Sequence, residues 1–560
     1  MTDQLCIAVA QLNPTLGRID DNLAKLRACR ADAAAADLLI VPELFVSGYP
    51  PEDLILKPLF IEQVQTAVAA FVAETADGGP AVLLSTPWPD DRGAGVINAV
   101  LLIDDGEITA VRAKVDLPNY GVFDEKRVFN AGDMPGPINF RGVRLGVPIC
   151  EDIWSPDVAE CLQEAGAEIL LVPNGSPFEF GKFDQRLNLT VARVTETGLP
   201  LVYLNQVGGQ DELVFDGGSF ILNADCGLAH QLPAWREDVR MTHWTRTATG
   251  WHVAAGATVA IDQGLQAIYQ AMVLGLRDYV QKNGFPGVLL GMSGGIDSAL
   301  SAAVAVDALG PDKVHCVMMP SPYTSQDSLD DAAAAAQLLG AKLDTINIGP
   351  AMAAFEEMLA PHFQGTNSGI AEENIQSRSR GLTLMALSNK FGHMVLSTGN
   401  KSEMSVGYAT LYGDMCGGYS VLKDVYKLTV FELSRWRNET FPEGGLGPQG
   451  AVMPERIIAK PPSAELRPDQ KDEDSLPPYE VLDAILNALI ETETPVEDII
   501  ADGYDRDTVM RVWQLLDRAE YKRRQAPPGV KITLRAFGRD RRYPITNAFL
   551  GAYARAQLGF

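Results

Sequence analysis

The feature that most constrains the fold is a glycine-rich turn between an apolar run and a helix-forming run. Residues 288–290 indicate a buried strand, residues 291–298 form the turn GMSGGIDS, and residues 299–309 are small and apolar, as in a helix. This order directs backbone N–H groups and a helix N-terminus at an anion. Asp297 cannot bind phosphate directly, so we expect it to hold a magnesium ion that does. The sequence therefore predicts a phosphate site at this turn.

The turn differs from the Walker phosphate loop, because it lacks the Walker lysine and does not match GxxxxGK[ST]. The segment SGGIDS instead resembles the pyrophosphate loop of the N-type ATP pyrophosphatases, which split ATP between the α and β phosphates and adenylate a substrate. An ordinary Gly/Ser turn before a helix is the alternative interpretation. The resemblance implies ATP contacts at Gly291, Met292, Ser293, Gly294, Gly295, Ile296, Asp297 and Ser298.

Length and charge limit the class of protein. A chain of 560 residues favours two to four domains, and a formal net charge of -26 argues against binding to nucleic acid. The seven cysteines are scattered without a CxxC pair, so we expect no disulfide framework and no structural zinc. Neither a secretory signal nor an apolar run of membrane-spanning length is visible. We therefore expect a cytoplasmic protein that has no membrane partner.

The first half of the chain mixes apolar strands and helices, which indicates layered α/β structure. Three polar residues follow apolar strands, namely Glu43, Lys114 and Cys150. A cysteine nucleophile needs a base, which a carboxylate can supply, and a lysine ammonium can stabilise an oxyanion. No histidine lies near any of the three, so a Cys-His dyad is disfavoured. Each residue taken alone has an ordinary structural explanation, but the ordered trio predicts an amide-splitting site.

Three blocks resemble the catalytic blocks of the nitrilase (carbon–nitrogen hydrolase) superfamily: PELFVSGYPPEDL, KVDLPNYGVFDEKRVF and ICEDIW. The resemblance covers roughly the first 245 residues. It implies an α-β-β-α sandwich and a Glu43-Lys114-Cys150 triad, with Glu125 beside the lysine. In the glutaminase branch of the superfamily, the positions that hold glutamine fall on Tyr120, Ser176 and Lys182.

Periodicity is lost around residues 235–258, and we expect a domain boundary near residue 255. This predicts one domain at residues 1–255 and a second at residues 256–560. A long amphipathic helix over residues 261–283 should lead into the glycine-rich turn. Strand–helix units follow in series, and they predict a doubly wound parallel sheet.

Further blocks resemble the amidating domain of the NAD synthetase family, which has an adenine nucleotide α-hydrolase-like fold: LGMSGGIDSAL, ENIQSR, LSTGNKSE and GYSVLKDVYK. One departure is TLYGDMCGGYS, where the small ammonia-dependent enzymes have a lysine and an aspartate around a GDGG loop, so those roles are not carried over. Residues 444–478 are expected either to order over the nucleotide or to be a plain connector. The resemblance implies ATP contacts at Thr398, Lys427 and Ser463, deamido-NAD contacts at Asn374, Glu403 and Lys522, and magnesium at Asp297 and Glu403.

Together these resemblances predict a glutaminase joined to an ATP-dependent amidating domain. Cys150 would attack glutamine with Glu43 as base, while Lys114 and the N–H of Glu151 hold the oxyanion. The second domain would adenylate deamido-NAD with ATP and Mg2+, and ammonia would then displace AMP to give NAD. The expected partners are these small-molecule substrates, with no nucleic acid, and an internal route for ammonia is expected. Family resemblance adds the expectation of a homo-oligomer.

Three alternatives remain open. The acceptor could differ, as in other amidotransferases with an ATP pyrophosphatase domain, although GMP synthetase pairs this loop with another type of glutaminase. The chain could be a non-catalytic nucleotide sensor with a relic amidase, which the intact triad and the intact SGGIDS segment disfavour. The first half could also be a simple hydrolase of nitriles or free amides, although the second domain makes it more useful as an ammonia source.

Overall fold

The computed structural model describes residues 3–467 and 470–549. The chain divides into two compact units, Met1–Gln263 and Gly264–Phe560. Residues 468 and 469, which belong to the 444–478 segment, lie outside the described residues. No described helix is both long enough and apolar enough to cross a membrane.

The first unit is built on two large sheets and one small hairpin. One sheet has the order β15-β14-β1-β2-β3-β4-β5, the other has the order β13-β12-β9-β8-β7-β6, and β10 pairs with β11. The strands are β1 Gln4–Gln11, β2 Leu38–Ile40, β3 Ala81–Pro89, β4 Val96–Asp104, β5 Glu107–Ala113, β6 Ile138–Phe140, β7 Val143–Gly146, β8 Ile169–Asn174, β9 Leu201–Asn205, β10 Val207–Gln210, β11 Leu213–Asp216, β12 Phe220–Leu222, β13 Leu228–Gln231, β14 Asp238–Thr247 and β15 Gly250–Val253.

The helices of this unit cover the outer faces of the two sheets. They are α1 Ile19–Asp32, α2 Pro58–Glu74, α3 Asp157–Glu164 and α4 Lys182–Thr197, with short 3-10 helices at Glu52–Leu56, Glu125–Arg127 and Cys150–Ile153. Successive strand residues point to opposite faces of a sheet. Val9 accordingly packs between the sheets against Leu171, while its neighbour Ala8 packs against the α1 and α2 side. Leu170 packs on the far side with α3 and α4. The predicted α-β-β-α sandwich is confirmed.

The second unit contains a five-stranded sheet with the order β18-β17-β16-β19-β20, and all of its pairings are parallel. From the central strand the chain first moves outward to one side, and it then returns to the other side. Since parallel crossovers are right-handed, this reversal places helices on both faces, and it opens a crevice at the end of the central strand. The predicted doubly wound parallel sheet is confirmed. The strands are β16 Val288–Gly291, β17 Val314–Met318, β18 Lys342–Thr345, β19 Met394–Ser397 and β20 Tyr419–Ser420.

Helices surround this sheet and extend into a helical subdomain. Leu289, Val317 and Val395 of the sheet pack against Leu384 on one face. A separate apolar cluster holds the last helices together, and Leu482 and Val512 lie at its centre. The helices are α5 Gly264–Lys282, α6 Ile296–Leu309, α7 Gln326–Leu339, α8 Gly349–Leu359, α9 Ile370–Phe391, α10 Lys401–Val406, α11 Lys427–Glu439, α12 Glu455–Ala459, α13 Tyr479–Ile490, α14 Val496–Ala501, α15 Arg506–Arg518 and α16 Glu520–Arg523, with 3-10 helices at Pro311–Lys313 and Asp472–Asp474.

The stretch without sequence periodicity, residues 235–258, contains regular structure. Strand β14 pairs antiparallel with β1 along its length, and β15 pairs with β14 at the edge of the same sheet. Trp244 and Trp251 bury their rings between the two sheets, while alternate residues of the strands are exposed or half-buried. The isolated tryptophans therefore mark the inward positions of two strands at one end of the first sheet.

Candidate functional site

Sheet direction brings the first two predicted residues to one edge of the first sheet. Strand β2 runs parallel to β3, and β5 returns to that direction through two antiparallel pairings. Glu43 lies three residues beyond β2, and Lys114 follows β5 directly. Cys150 follows β7 of the other sheet and begins a short 3-10 helix. Three sequence-distant residues thus come from the carboxyl ends of three strands.

Lys114 joins two buried carboxylates. Its Nζ donates to Glu43 Oε1 at 2.8 Å and to Glu125 Oε1 and Oε2 at 3.0 and 2.9 Å. The Lys114 and Glu43 side chains are fully buried, and Glu125 is buried as well. Burial opposes the ammonium, but Glu125 and Glu43 outweigh it and raise the Lys114 pKa well above its ordinary value. Lys114 is therefore a fixed cation at neutral pH.

Glu43 is held at both oxygens. Asn98 Nδ2 donates to Oε1 at 2.7 Å, and the backbone N–H of Gly175 donates to Oε2 at 2.9 Å. Tyr49 OH donates to Glu125 Oε1 at 2.8 Å, which orients the second carboxylate. A Cβ built on Gly175 would lie 2.8 Å from the Tyr49 ring, so this close approach requires glycine. The two carboxylates are thus oriented by fixed donors.

The thiol of Cys150 lies within the electrostatic reach of this cluster. Burial and the charge of Glu43 raise the pKa of Cys150 well above its ordinary value, and Lys114 acts in the opposite direction. Cys150 also has a φ of +46°, which is unusual for a residue with a side chain. A protonated thiol beside a fixed carboxylate is suited to attack in which the carboxylate takes the proton.

A surface hollow beside Cys150 is lined by groups that suit an amino acid. Tyr120 and Glu151 both line it, and Tyr120 OH donates to Glu151 Oε1 at 2.9 Å. Lys182 Nζ lies 5.8 Å from the ring centre of Phe123 and 6.0 Å from that of Trp154. Glu151 and Lys126 line this hollow with opposite charges, and Lys182 lies next to Trp154 of its wall.

Ser176 is buried and already bonded. Its Oγ accepts a hydrogen bond from Arg186 Nε at 3.0 Å, and its backbone N–H donates to Asn205 Oδ1 at 2.9 Å. Arg186 in turn forms a buried ion pair with Asp216, at 2.8 Å. The predicted glutamine contact at Ser176 therefore lies on a rigid loop after β8.

The glycine-rich turn of the second unit lies at the sheet crevice. It begins at the end of β16 and continues into the first turn of α6, whose N-cap is Gly295. Ser293 N donates to Ser298 Oγ at 3.2 Å, which closes the turn. Gly294 has a φ of +81°, and a Cβ there would lie 2.3 Å from the carbonyl oxygen of Ser328. This position therefore requires glycine.

The turn opens onto a cavity of about 280 Å³ at the end of the sheet. Gly294 is the one member of the predicted 291–298 turn that does not line it, because its backbone packs against Ser328 instead. Four more residues with predicted nucleotide contacts line the same cavity, namely Thr398, Glu403, Lys427 and Ser463.

Lys427 connects the two predicted magnesium ligands. Its Nζ forms ion pairs with Asp297 Oδ2 and with Glu403 Oε1, the latter at 3.2 Å. Asn400 Nδ2 donates to Asp297 Oδ1 at 2.8 Å, and its Oδ1 caps α10 at the N–H of Glu403. Burial and Asp297 raise the Glu403 pKa to about 8, although Lys427 acts to lower it.

The acidic side chains of this cluster are Asp297 and Glu403, which Lys427 bridges. Within residues 3–467 and 470–549, no group of three or more His, Cys, Asp or Glu side chains is arranged to hold a metal. Mg2+ commonly takes only one or two carboxylates, together with phosphate oxygens and water. Asp297 and Glu403 both line the cavity and supply two hard oxygen donors, so the residues present fit a magnesium ion that arrives with a nucleotide.

Two predicted dinucleotide contacts lie apart from the cavity lining and meet at another loop. Lys522 Nζ donates to the carbonyl oxygens of Gly407 and Ala409, at 2.7 and 2.6 Å. Asn374 Oδ1 accepts from Thr410 Oγ1 at 3.0 Å. The structure therefore brings Asn374 and Lys522 to the same 407–410 loop, while Ser463 lies within the KPPSAEL segment that borders the cavity.

Three residues in these two centres escaped the sequence reasoning. Tyr49 and Asn400 lie inside the blocks PELFVSGYPPEDL and LSTGNKSE. A polar side chain within a family block could have identified each of them as a candidate site residue. Asn98 had no such signal, because it looks like any polar residue near the start of a strand. Its contact with Glu43 depends on the pairing of β3 with β4.

Comparisons with known proteins agree with this two-part arrangement. Residues 6–251 match the carbon-nitrogen hydrolase family, and residues 268–526 match the NAD synthase family. The two matched ranges fall in the first and the second compact unit, respectively.

Full-length relatives are also similar. The chain is 53% identical to the glutamine-dependent NAD(+) synthetase of Rhodobacter capsulatus, over 98% of this chain and 99% of that protein. It is 46% identical to the protein of the same name from Acinetobacter baylyi, over 97% and 98%. A solved structure of the Acinetobacter baumannii glutamine-dependent NAD+ synthetase, in complex with ADP, is 43% identical, with a TM-score of 0.77 over 98% of this chain and 99% of that chain.

Proposed function

The chain belongs to the glutamine-dependent NAD(+) synthetase family, ligases that form a C–N bond, and from this premise we propose residue roles in its two half-reactions. In the first unit, glutamine is split into glutamate and ammonia. In the second unit, ATP activates deamido-NAD, and ammonia converts the activated group to the amide. The observation that carries the division is the presence of two separate polar centres, one in each unit, with different chemistry.

We propose that Cys150 is the nucleophile of the glutaminase. Its sulfur attacks the side-chain carbonyl of glutamine while Glu43 takes the thiol proton, and the carbonyl oxygen becomes an oxyanion. Lys114 and the N–H of Glu151 stabilise that oxyanion. Glu43 then returns the proton to the leaving nitrogen, ammonia departs, and water hydrolyses the thioester. The fixed orientation of Glu43 by Asn98 supports this role.

Glu125 serves the lysine in this proposal. It contacts Lys114 through both oxygens, so it keeps the ammonium in place while Glu43 changes protonation. Tyr120 lines the hollow and Lys182 lies next to Trp154 of its wall, and both bind the amino-acid end of glutamine, where the cation suits the α-carboxylate. Ser176 completes this recognition from its rigid loop.

In the second unit, we propose that the 291–298 turn binds the ATP phosphates together with Thr398, Lys427 and Ser463. A carboxylate oxygen of deamido-NAD attacks the α phosphorus, the bond to the β phosphate breaks, and pyrophosphate leaves. Ammonia then attacks the adenylated carbonyl and AMP leaves. Asn374, Glu403 and Lys522 are assigned to deamido-NAD. Asp297 and Glu403 would hold Mg2+, which draws charge from the polyphosphate when it is bound.

A homo-oligomer and a cytoplasmic location stay predictions.

The acceptor is the part of the proposal that an assay tests most simply. The protein is incubated with glutamine, ATP, Mg2+ and deamido-NAD, and NAD, AMP, pyrophosphate and glutamate are quantified. Equal amounts of NAD, AMP and pyrophosphate are expected, with at least as much glutamate. AMP formation with xanthylate in place of deamido-NAD, and none with deamido-NAD, would overturn the assignment of the acceptor.

A further inference from the structure

One buried carboxylate in the first unit links the backbone segments that carry two of the proposed catalytic residues. Asp152 Oδ1 accepts the N–H of Val115 at 3.0 Å and that of Asp116 at 2.8 Å. Asp152 Oδ2 accepts the N–H of Ile149 at 2.9 Å. The side chain is 1% exposed, so these bonds do not compete with bulk water. All three donors are backbone groups, which leaves them no alternative rotamer.

The positions of these donors matter more than their number. Val115 directly follows Lys114, and Ile149 directly precedes Cys150. Lys114 lies just beyond the end of β5, the last strand in its sheet, and its own N–H donates to Asn98 O at 2.8 Å. The carboxylate therefore ties the end of one sheet's strand to the turn that follows a strand of the other sheet.

The turn at Cys150 needs such support. A φ of +46° is unfavourable for a residue with a side chain, so the surrounding structure must hold the backbone in this conformation. The Asp152 carboxylate bonds the residue immediately before this turn, and its own N–H donates to Ile149 O at 3.1 Å. Both bonds hold residues 149–152 in one conformation.

We propose that Asp152 is a positioning residue of the glutaminase centre, which sets the placement of Lys114 and Cys150 relative to each other through their backbones. This inference rests on the proposed roles of Lys114 and Cys150. It also assigns a task to the fourth residue of the ICEDIW block, which follows the nucleophile and its neighbour Glu151.

Only an ionised carboxylate accepts hydrogen bonds at both oxygens without presenting a donor. An asparagine in its place would turn an NH2 group toward one of the N–H donors and would leave that donor unpaired in a buried site. Burial raises the pKa of Asp152 to about 7, while the N–H donors of Asp116, Ile149 and Val115 and the charge of Lys114 lower it. Assays at about pH 8.5 therefore keep the carboxyl mainly ionised.

The test compares Asp152→Asn and Asp152→Glu with a matched control, Asp37→Asn. The Asp37 carboxylate also accepts a backbone N–H in the first unit, that of Cys6 at 2.8 Å, but it has no contact with the triad. For each variant, kcat and KM for glutamine, the rate of ammonia-driven NAD formation and the thermal unfolding temperature are measured. Iodoacetamide labelling of the Cys150 peptide is followed by mass spectrometry.

Asp152→Asn should lower kcat for glutamine by about 30- to 100-fold with KM within about 3-fold, because the catalytic groups shift while Ser176 and Lys182, which are proposed to hold glutamine, lie on other segments. Labelling of Cys150 should slow, and ammonia-driven synthesis should stay at the wild-type rate. Asp152→Glu, which restores two acceptors, should recover part of kcat, and Asp37→Asn should match the wild type. Should Asp152→Asn not fold, Asp152→Glu alone carries the test through its kcat and labelling rate.

A wild-type kcat in both Asp152 variants, or a loss shared equally by Asp37→Asn, would overturn the inference. Cys150→Ala separates this outcome from failure of the proposed function. If Cys150→Ala abolishes glutamine-driven synthesis but the Asp152 variants do not lower it, the positioning role alone is wrong. If Cys150→Ala retains glutamine-driven synthesis, the proposed glutaminase centre is wrong.

Discussion

Glu43 and Lys114 form an ion pair, with 2.8 Å between Oε1 and Nζ, in which both side chains are fully buried. Glu125 contacts the same ammonium from a second side. Two carboxylates thus share one cation in a site without bulk water. Removal of the cation would leave two buried acids, whereas removal of either acid would still leave the lysine paired.

Lys114→Met is therefore predicted to affect both stability and glutamine use. Loss of one partner of a buried ion pair typically costs about 3–5 kcal/mol, and we expect a lower free energy of unfolding for the first unit. Loss of an oxyanion donor should lower kcat for glutamine by about 10²- to 10³-fold. Calorimetry and a glutamate-release assay measure the two effects. A glutaminase of wild-type rate would contradict the role of Lys114.

The pH dependence of Cys150 reactivity follows from its surroundings. Burial and Glu43 raise the pKa of its thiol, so the thiol stays protonated at a pH where a free cysteine begins to ionise. Because the thiolate is the reactive form, the rate of iodoacetamide labelling without glutamine should rise with pH and should not level off below about pH 9. Mass spectrometry of the Cys150 peptide follows this rate. A plateau near neutral pH would indicate a preformed thiolate and would contradict the prediction.

Gly294→Ala should disable the second unit alone. The added Cβ would lie 2.3 Å from the carbonyl oxygen of Ser328, and the φ of +81° disfavours any side chain. We expect loss of ammonia-driven NAD formation, with glutamate release from glutamine retained. Gly340→Ala is the matched control, since its φ is +69° but its Cβ would meet only Pro311 Cβ, at 3.7 Å. Equal loss in both variants would show that backbone strain, and not the collision, is responsible.

Lys427→Met tests the cation that pairs with the two proposed magnesium ligands. Asp297 and Glu403 would lose their shared partner, and the ATP phosphates would lose a positive charge. We expect ammonia-driven synthesis to fall by about 10²-fold or more, with basal glutamate release unchanged. Lys342→Met serves as control, because Lys342 forms an exposed pair with Asp344 in the same unit. An effect of similar size in the control would contradict a specific role for Lys427.

Sequence patterns predicted much of the fold, because most strands here are short apolar runs with turns between them. They failed at residues 238–253, where only one side of each strand is buried and charged residues occupy the other. They also predict a strand that runs up to Cys150, whereas β7 ends at Gly146. Apolar character continues to Ile149 there, but it serves core packing and not the strand ladder.

In the candidate site, the sequence predicts the reactive residues but not the contacts that support them. The reactive residues at the strand ends could be predicted, because a cysteine nucleophile needs a base and a cation for the oxyanion, and a Glu and a Lys in family blocks can supply them. The supporting contacts could not be predicted. The hydrogen bond from Asn98 to Glu43 and those from three N–H groups to Asp152 depend on which strands pair and where each ladder ends.

The central claim is that nitrogen is released in one unit and used in the other. It is tested most directly by measuring NAD formation by Cys150→Ala with glutamine and with ammonium chloride as alternative nitrogen sources. The account predicts no NAD from glutamine and a wild-type rate from ammonium chloride. Equal loss with both sources, or unchanged synthesis from glutamine, would contradict it.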